Sequence, residues 1–284
     1  MKMNSQGGAS VPASRGEKIS KAARGDARPT KFVLPFLAAI ILFAAFGAIA
    51  QTTNGPADAE IQGRNLAGLL LEQWPTTNFM QNGNLSIRDN HGGRFEAPIQ
   101  FHIFITPPSW VSNYKIDVQS NLFELTVIHK PGGANEYHYH TEPRAHNSSN
   151  GNATMTSFAS SDFWLADLGL EFLHWPGQKI LKQEVRKTRS CNVLESTNPN
   201  PSANGYSRVV SWVDEESDGI VHAEAYDSKN KLLKVFDLKS IEKVNGQWQP
   251  ELVEMDNFQT GSRTWIDFNP GPTLSPRSAG ANSP

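Results

Sequence analysis

The chain has 284 residues, 26 Lys and Arg against 28 Asp and Glu, a net charge of −2 and a single cysteine, Cys191. One cysteine excludes an internal disulfide, so stability must come from an ordinary core in which Cys191 is a buried small hydrophobe. The charge is unevenly spread: seven basic and two acidic residues fall in 1–50, leaving 19 basic against 26 acidic beyond, and a part near −7 argues against nucleic acid as a partner and against an electrostatic grip on anionic lipid.

Lys2, Arg15, Lys18, Lys21, Arg24, Arg28 and Lys31 precede an uncharged apolar run over 32–50 that ends in Ala48-Ile49-Ala50. A basic region, an apolar region and a small-x-small exit predict a secretory signal peptide. The run of nineteen residues is also long enough to cross a bilayer as a retained anchor, which would add the inner membrane to the partners. Either outcome exports residues 51–284. No Cys follows the run, so acylation there is excluded.

A helix is predicted over 58–74, with Leu66, Leu69, Leu70 and Trp74 on one apolar face and Pro75 as its stop. Strands follow from Phe79. In 99–105, Ile99, Phe101, Ile103 and Ile105 alternate with Gln100, His102 and Phe104, and Pro107-Pro108 ends the run. Further strands are predicted near 115–119 and 123–129, closed by Pro131-Gly132-Gly133. Residues 142–157 read as a polar loop. Asn84, Asn147 and Asn152 each begin a glycosylation sequon, of consequence only in a eukaryotic secretory route.

Ser160 or Ser161 with Asp162 predicts the cap of a second helix, in which Leu165, Leu168, Phe172 and Trp175 recur at helical spacing. About six strands should follow, with turns at 198–204, 215–219, 227–230, 245–246 and 259–261, giving an antiparallel meander. The tail 269–284, rich in Pro, Gly, Ser and Ala, predicts disorder. Residues 51–268 thus form one expected domain, mainly β with two main helices and about ten strands.

Several residues carry a family resemblance. They are Ser161-Asp162-Phe163, the strand 206–214 (YSRVVSWVD), the hairpin 226–234 (YDSKNKLLK), Gly246-Gln247-Trp248-Gln249-Pro250, Met255-Asp256-Asn257, Gly261 and Thr264. In these the chain resembles the LolA-like family, the outer-membrane lipoprotein-sorting superfamily of bacterial envelopes. The resemblance implies an incompletely closed antiparallel β-barrel, a curved sheet wrapped over helices that line or lid an apolar cavity. It also implies a periplasmic or envelope location and a lipid, acyl chain or lipoprotein as cargo. A dry groove can hold such cargo without catalysis, because each buried CH₂ contributes about 0.8 kcal/mol. The basic leader, the loop at 142–157 and the Pro-rich tail depart from the family pattern.

Candidate groove or lid residues are Phe163, Trp164, Leu168, Phe172, Tyr206, Val210 and Trp212. Phe163 and Trp164 lie off the strongest helix face, and Tyr206, Arg208, Val210 and Trp212 share one face of a regular strand. The same residues also suit an ordinary core. His138 and His140 stand two apart on an extended segment beside Glu136 and Glu142, a spacing able to hold Zn²⁺ or Cu²⁺ if a third ligand joins. Loop-edge histidines with no metal are the competing reading. Asp214, Glu215, Glu216 and Asp218 make an acidic turn without the EF-hand spacing. There is no G-x-S-x-G, H-E-x-x-H, P-loop or C-x-x-C, so no cofactor is expected and an enzyme is disfavoured. Three functions remain: a non-catalytic lipid or lipoprotein binder, an envelope sensor or scaffold that engages a protein partner without lipid, and a metal-dependent enzyme using His138 and His140.

Overall fold

The apolar alternation read from the sequence builds a single antiparallel sheet. The computed structural model describes residues 55–142, 151–244 and 247–268. The leader and apolar run (1–50), the sequon at Asn147, the turn 245–246 and the tail 269–284 lie outside them.

Helix α1 spans Pro56–Leu71, with Pro56 at its first turn, where a missing N–H costs nothing. Its buried face is Gly63, Ala67 and Leu70, whereas Leu69 is 59 % exposed. The predicted leucine face is therefore rotated. Close packing is the reason: a Cβ on Gly63 would stand 2.4 Å from the backbone nitrogen of Lys179. Small residues let the helix lie directly on a strand, flanked by Leu66 and Leu70, while Leu69 turns to solvent.

The strands are β1 (Phe79–Arg88), β2 (Arg94–Thr106), β3 (Ser109–Val118), β4 (Asn121–His129), β5 (Glu136–Thr141), β6 (Gly177–Arg186), β7 (Arg189–Thr197), β8 (Arg208–Asp214), β9 (Ile220–Tyr226), β10 (Leu232–Val244), β11 (Gln247–Asn257) and β12 (Ser262–Asp267). They form one sheet in the order β5-β4-β3-β2-β1-β12-β11-β10-β9-β8-β7-β6. Two meanders therefore join where β1 pairs with β12, from Asn84 opposite Asp267 to Arg88 opposite Arg263. Strands β5 and β6 are the two ends of this order and do not pair with each other, so the sheet is not closed into a barrel.

Twelve described strands exceed the ten expected. One extra strand follows from the two-residue link Lys187-Thr188, which turns β6 into β7 with both residues at positive φ. Gly and Asn usually mark such a turn, and neither is present here.

One face of the sheet carries the core. Leu85, Ala97, Ile99, Ile116, Leu125, Val127, Tyr137 and Tyr139 cluster with Val253, Met255 and Ile266 across the β1–β12 junction. Leu194, Val209, Val213, Ala223, Ala225 and Leu233 continue this face and receive Ala67 and Leu70 of α1. A fully buried side chain of this size contributes about 1.5–3 kcal/mol, so this face dominates stability.

The opposite face is laced with charge. Lys187 Nζ lies 2.9 Å from Asp237, Lys239 2.6 Å from Glu254 and Arg189 2.7 Å from Asp214. His222 Nδ1 sits 3.0 Å from Asp237. Burial alone would raise the Asp237 carboxyl, but His222 and Lys187 hold it below the usual carboxylate range. The acidic turn is engaged in this lattice: Asp214 is buried and also accepts from Ser217. Cys191 is fully buried, and burial pushes its thiol up.

Among the described residues no helix is long and apolar enough to cross a membrane.

Candidate functional site: a strapped apolar face

Between β5 and β6, residues 155–175 lie across the core face as a strap. Its first anchor is a tight loop: Phe158 donates N–H to the Phe163 carbonyl, and Ser157 bridges Trp164. Phe158, Ala159, Phe163 and Leu165 enter the core beside β1–β5. Helix α2 is short, Leu165–Leu168, and a 3-10 turn follows at Glu171–His174. The predicted continuous helix is thus broken at Gly169-Leu170, where Leu170 is left-handed with φ of 50°. Gly169 leaves room there for Tyr137, whose hydroxyl would lie 2.3 Å from an added Cβ.

Ser161 and Asp162 do not cap this helix. Asp167 does, accepting the Trp164 N–H at 2.7 Å. Asp162 instead fastens the strap to the sheet. It accepts from Asn257 Nδ2 (3.0 Å), Ser262 Oγ (2.5 Å) and Thr264 Oγ1 (2.8 Å). Its carbonyl accepts from Lys234 Nζ at 2.6 Å. Lys234 is 1 % exposed, lies 3.6 Å over the Trp164 ring and stands 3.7 Å from Asp167. Burial lowers its pKa to about 8, against the pull of Asp167 and Asp162. Burial likewise raises Asp167, with Lys234 opposing. Scattered residues that carry the sequence resemblance (Asp162, Lys234, Asn257 and Thr264) therefore meet at one buried latch.

Phe163 and Leu168 pack toward β1–β5, while Trp164, Phe172 and Tyr206 pack toward β7–β10. Trp164 stacks on Tyr206 with ring centres 4.5 Å apart, and the Tyr206 hydroxyl donates to Asp167 at 3.1 Å. Val210 and Trp212 are not with them. They belong to a separate cluster on the charged face with Cys191, Val193 and Val221, and Arg186 lies over Trp212. Tyr206 precedes the start of β8, so alternation along the strand does not extend to it.

His138 and His140 project from the edge strand β5, each beside one carboxylate, Glu136 at 3.0 Å and Glu142 at 3.2 Å. No group of three His, Cys, Asp or Glu able to hold a metal occurs among the described residues.

An aromatic patch on β1–β3, completed by Phe268 after β12, is not among the candidate residues named from the sequence. Phe101 lies 5.6 Å from Phe79, 4.7 Å from Tyr114 and 6.1 Å from Phe268 between ring centres. All four rings are only partly buried, as are Ile87, Phe95, Val118 and Phe123 on the same core face. The alternation of Ile99, Phe101, Ile103 and Ile105 was the available signal.

A family profile described as an uncharacterized protein matches residues 122–270, more than half of the chain. The chain belongs to this family. No curated protein matches it. Solved structures match the family's fold over 74 % of this chain. A DUF1329 family protein from Desulfovibrio piger aligns with a TM-score of 0.61 at 20 % identity, over 90 % of its own length. A domain from Vibrio parahaemolyticus described as an outer membrane lipoprotein-sorting protein aligns at 0.61 and 17 %, over 92 % of its length. A LolA superfamily protein from Nitrosomonas europaea aligns at 0.52 and 16 %, over 90 % of its length. The family member described here therefore has a LolA-like fold, an open antiparallel sheet with few helices.

Proposed function

We propose that the protein is a non-catalytic, exported envelope protein that binds an acyl chain, a lipid or the lipid of a lipoprotein on the core face of its sheet. The observation that carries this reading is the half-covered apolar band of Phe79, Phe101, Phe268, Ile87, Phe95 and Phe123, beside the strap. An acyl chain of sixteen carbons laid on such a face gains on the order of 10 kcal/mol from burial before ordering costs. The strap is fastened along its length, by the Asp162–Lys234 latch, by Tyr114 and Asn135 donating to the Leu168 and Gly169 carbonyls and by Gln178 donating to the Phe172 and Trp175 carbonyls, so the acyl chain is received on the uncovered band beside it. Phe163, Trp164, Leu168, Phe172 and Tyr206 form the wall of the groove in this reading. Val210 and Trp212, on the charged face, stay outside it.

Native mass spectrometry of the protein as it accumulates in a bacterial envelope, followed by solvent extraction, tests the reading. A copurifying lipid or acylated peptide supports it and identifies the cargo class. A bare polypeptide that also fails to bind an apolar fluorescent probe sinks it and favours an interaction module.

A further inference from the structure

One rim of the core face departs from the apolar pattern. There Ser112 Oγ pairs with His129 Nε2 at 3.0 Å, and His129 stacks on Trp110 with ring centres 3.6 Å apart. Asn135 and Tyr137 follow at the start of β5, 6 % and 3 % exposed. The strap brings Glu171 and His174 to the same place. Asn135 Nδ2 donates to the Gly169 carbonyl at 2.7 Å, and the Tyr137 hydroxyl presses against Gly169. Tyr114, whose ring belongs to the aromatic patch, donates to the Leu168 carbonyl at 3.2 Å.

Four buried polar atoms at this rim make no hydrogen bond of good geometry, Asn135 Oδ1, the Tyr137 hydroxyl, Glu171 Oε2 and His174 Nε2, although Asn135 interacts with His129 and Tyr137, and Glu171 with Thr154. Each such orphan is costly, and four on adjoining residues form an incomplete site. Their demands are mixed. The Asn135 orientation is set by its bond to Gly169, so Oδ1 requires a donor, as does Glu171 Oε2. The Tyr137 hydroxyl offers a proton and requires an acceptor.

The geometry points to a subsite at this rim for the polar head of an amphipathic ligand, a glyceryl ester whose hydroxyls and ester carbonyl complete Asn135, Tyr137, Glu171 and His174 while its chain runs over Phe101 and Phe79. This rests on the lipid-binding reading and adds to it the chemistry of the head. An anionic phosphate fits poorly. It brings acceptors only, the rim already holds the Glu171 carboxyl, and the imidazoles supply no cation. Burial, with help from His174, lowers His129 to about 3, and burial lowers His174 too.

The test uses the full chain and fluorescent probes that share one acyl chain: a hydrocarbon without a head, a monoacylglycerol, a monoacylglyceryl-cysteine lipopeptide with its glyceryl hydroxyl free, and an alkyl phosphate without glycerol. The glyceryl probes are expected to bind about tenfold more tightly than the hydrocarbon or the phosphate. The tighter of the two glyceryl probes identifies whether the head is free or attached to protein. Tyr137→Phe and His174→Phe should each remove most of that preference and leave hydrocarbon binding unchanged. Tyr137→Phe should also raise the unfolding midpoint of the ligand-free protein, since it deletes an unpaired hydroxyl; this readout does not depend on any probe. If the hydrocarbon binds but the heads are not distinguished, or the variants keep the preference, the rim is completed by water and the subsite is overturned alone. If no probe binds, the lipid-binding reading falls and takes the subsite with it.

Discussion

Lys234 illustrates how a single side chain can decide where a segment lies. Its ammonium is buried between the Asp162 carbonyl, the Trp164 ring and Asp167. Removing one partner of a buried pair leaves the other charge uncompensated, at a cost of about 3–5 kcal/mol. Lys234→Met should lose that much in urea unfolding, and adding Asp167→Asn should recover part of it; a loss in the double variant equal to the sum of the two single losses would mean the pair is not coupled. A pH dependence follows as well. With a folded pKa of about 8 against the usual 10.5, the unfolded chain keeps this proton over a range where the folded chain has released it. Stability from Lys234 therefore rises with pH between about 8 and 10.5 and is flat below. Wild-type protein should gain on Lys234→Met from roughly pH 7.5 to 9.5, before tyrosines ionise; a constant difference would count against a buried amine of lowered pKa. None of this was legible in the sequence, where Lys234 stands among other charged residues near a hairpin. Tyr206 and Val210 show the matching difficulty: counting by two places them on one face, but regular pairing begins only at Arg208.

At the scale of elements, close approach and turn geometry override propensity. Ala exceeds Gly in helix preference by about 1 kcal/mol, yet at Gly63 the added methyl meets the β6 backbone. Overpacking of that kind costs about 1–3 kcal/mol, so Gly63→Ala should destabilise the fold in thermal or urea unfolding; a gain would show that α1 sits farther from β6. Thr188 gives the opposite sign. It is β-branched and held at φ of 68° in the β6–β7 turn, so Thr188→Gly should stabilise by about 1 kcal/mol. The strands bounded by Gly, Pro and Asn could be read from sequence because those residues state their turn geometry. The Lys187-Thr188 turn could not, nor could the rim site, whose orphan atoms come from β5, the loop before it and a 3-10 turn that is adjacent only once the strap is in place.

For the whole molecule, the order of strands determines where it is firm. The β1–β12 ladder lies in the interior of the sheet and joins the two apolar halves, whereas β5 and β6 stand at the ends of the strand order among the described residues. Amide hydrogen exchange should be slowest in β1, β11 and β12 and fastest on the free sides of β5 and β6. Equal protection at those edges would mean that they are paired in solution. The open architecture came from the family resemblance rather than from periodicity, since alternation identifies strands but not which of them remain unpaired.

The central position of that ladder has one more consequence. Residues 55–142 hold β1–β5 complete, and residues 151–268 hold β6–β12, so no sheet strand is divided between them. Each piece carries the strands of one meander and one strand of the junction, with Ser86 opposite Trp265 at its middle. Cutting the chain between them would leave two halves tied by more than that ladder, because α1 of the first lies on β6 and the strap of the second packs into β1–β5.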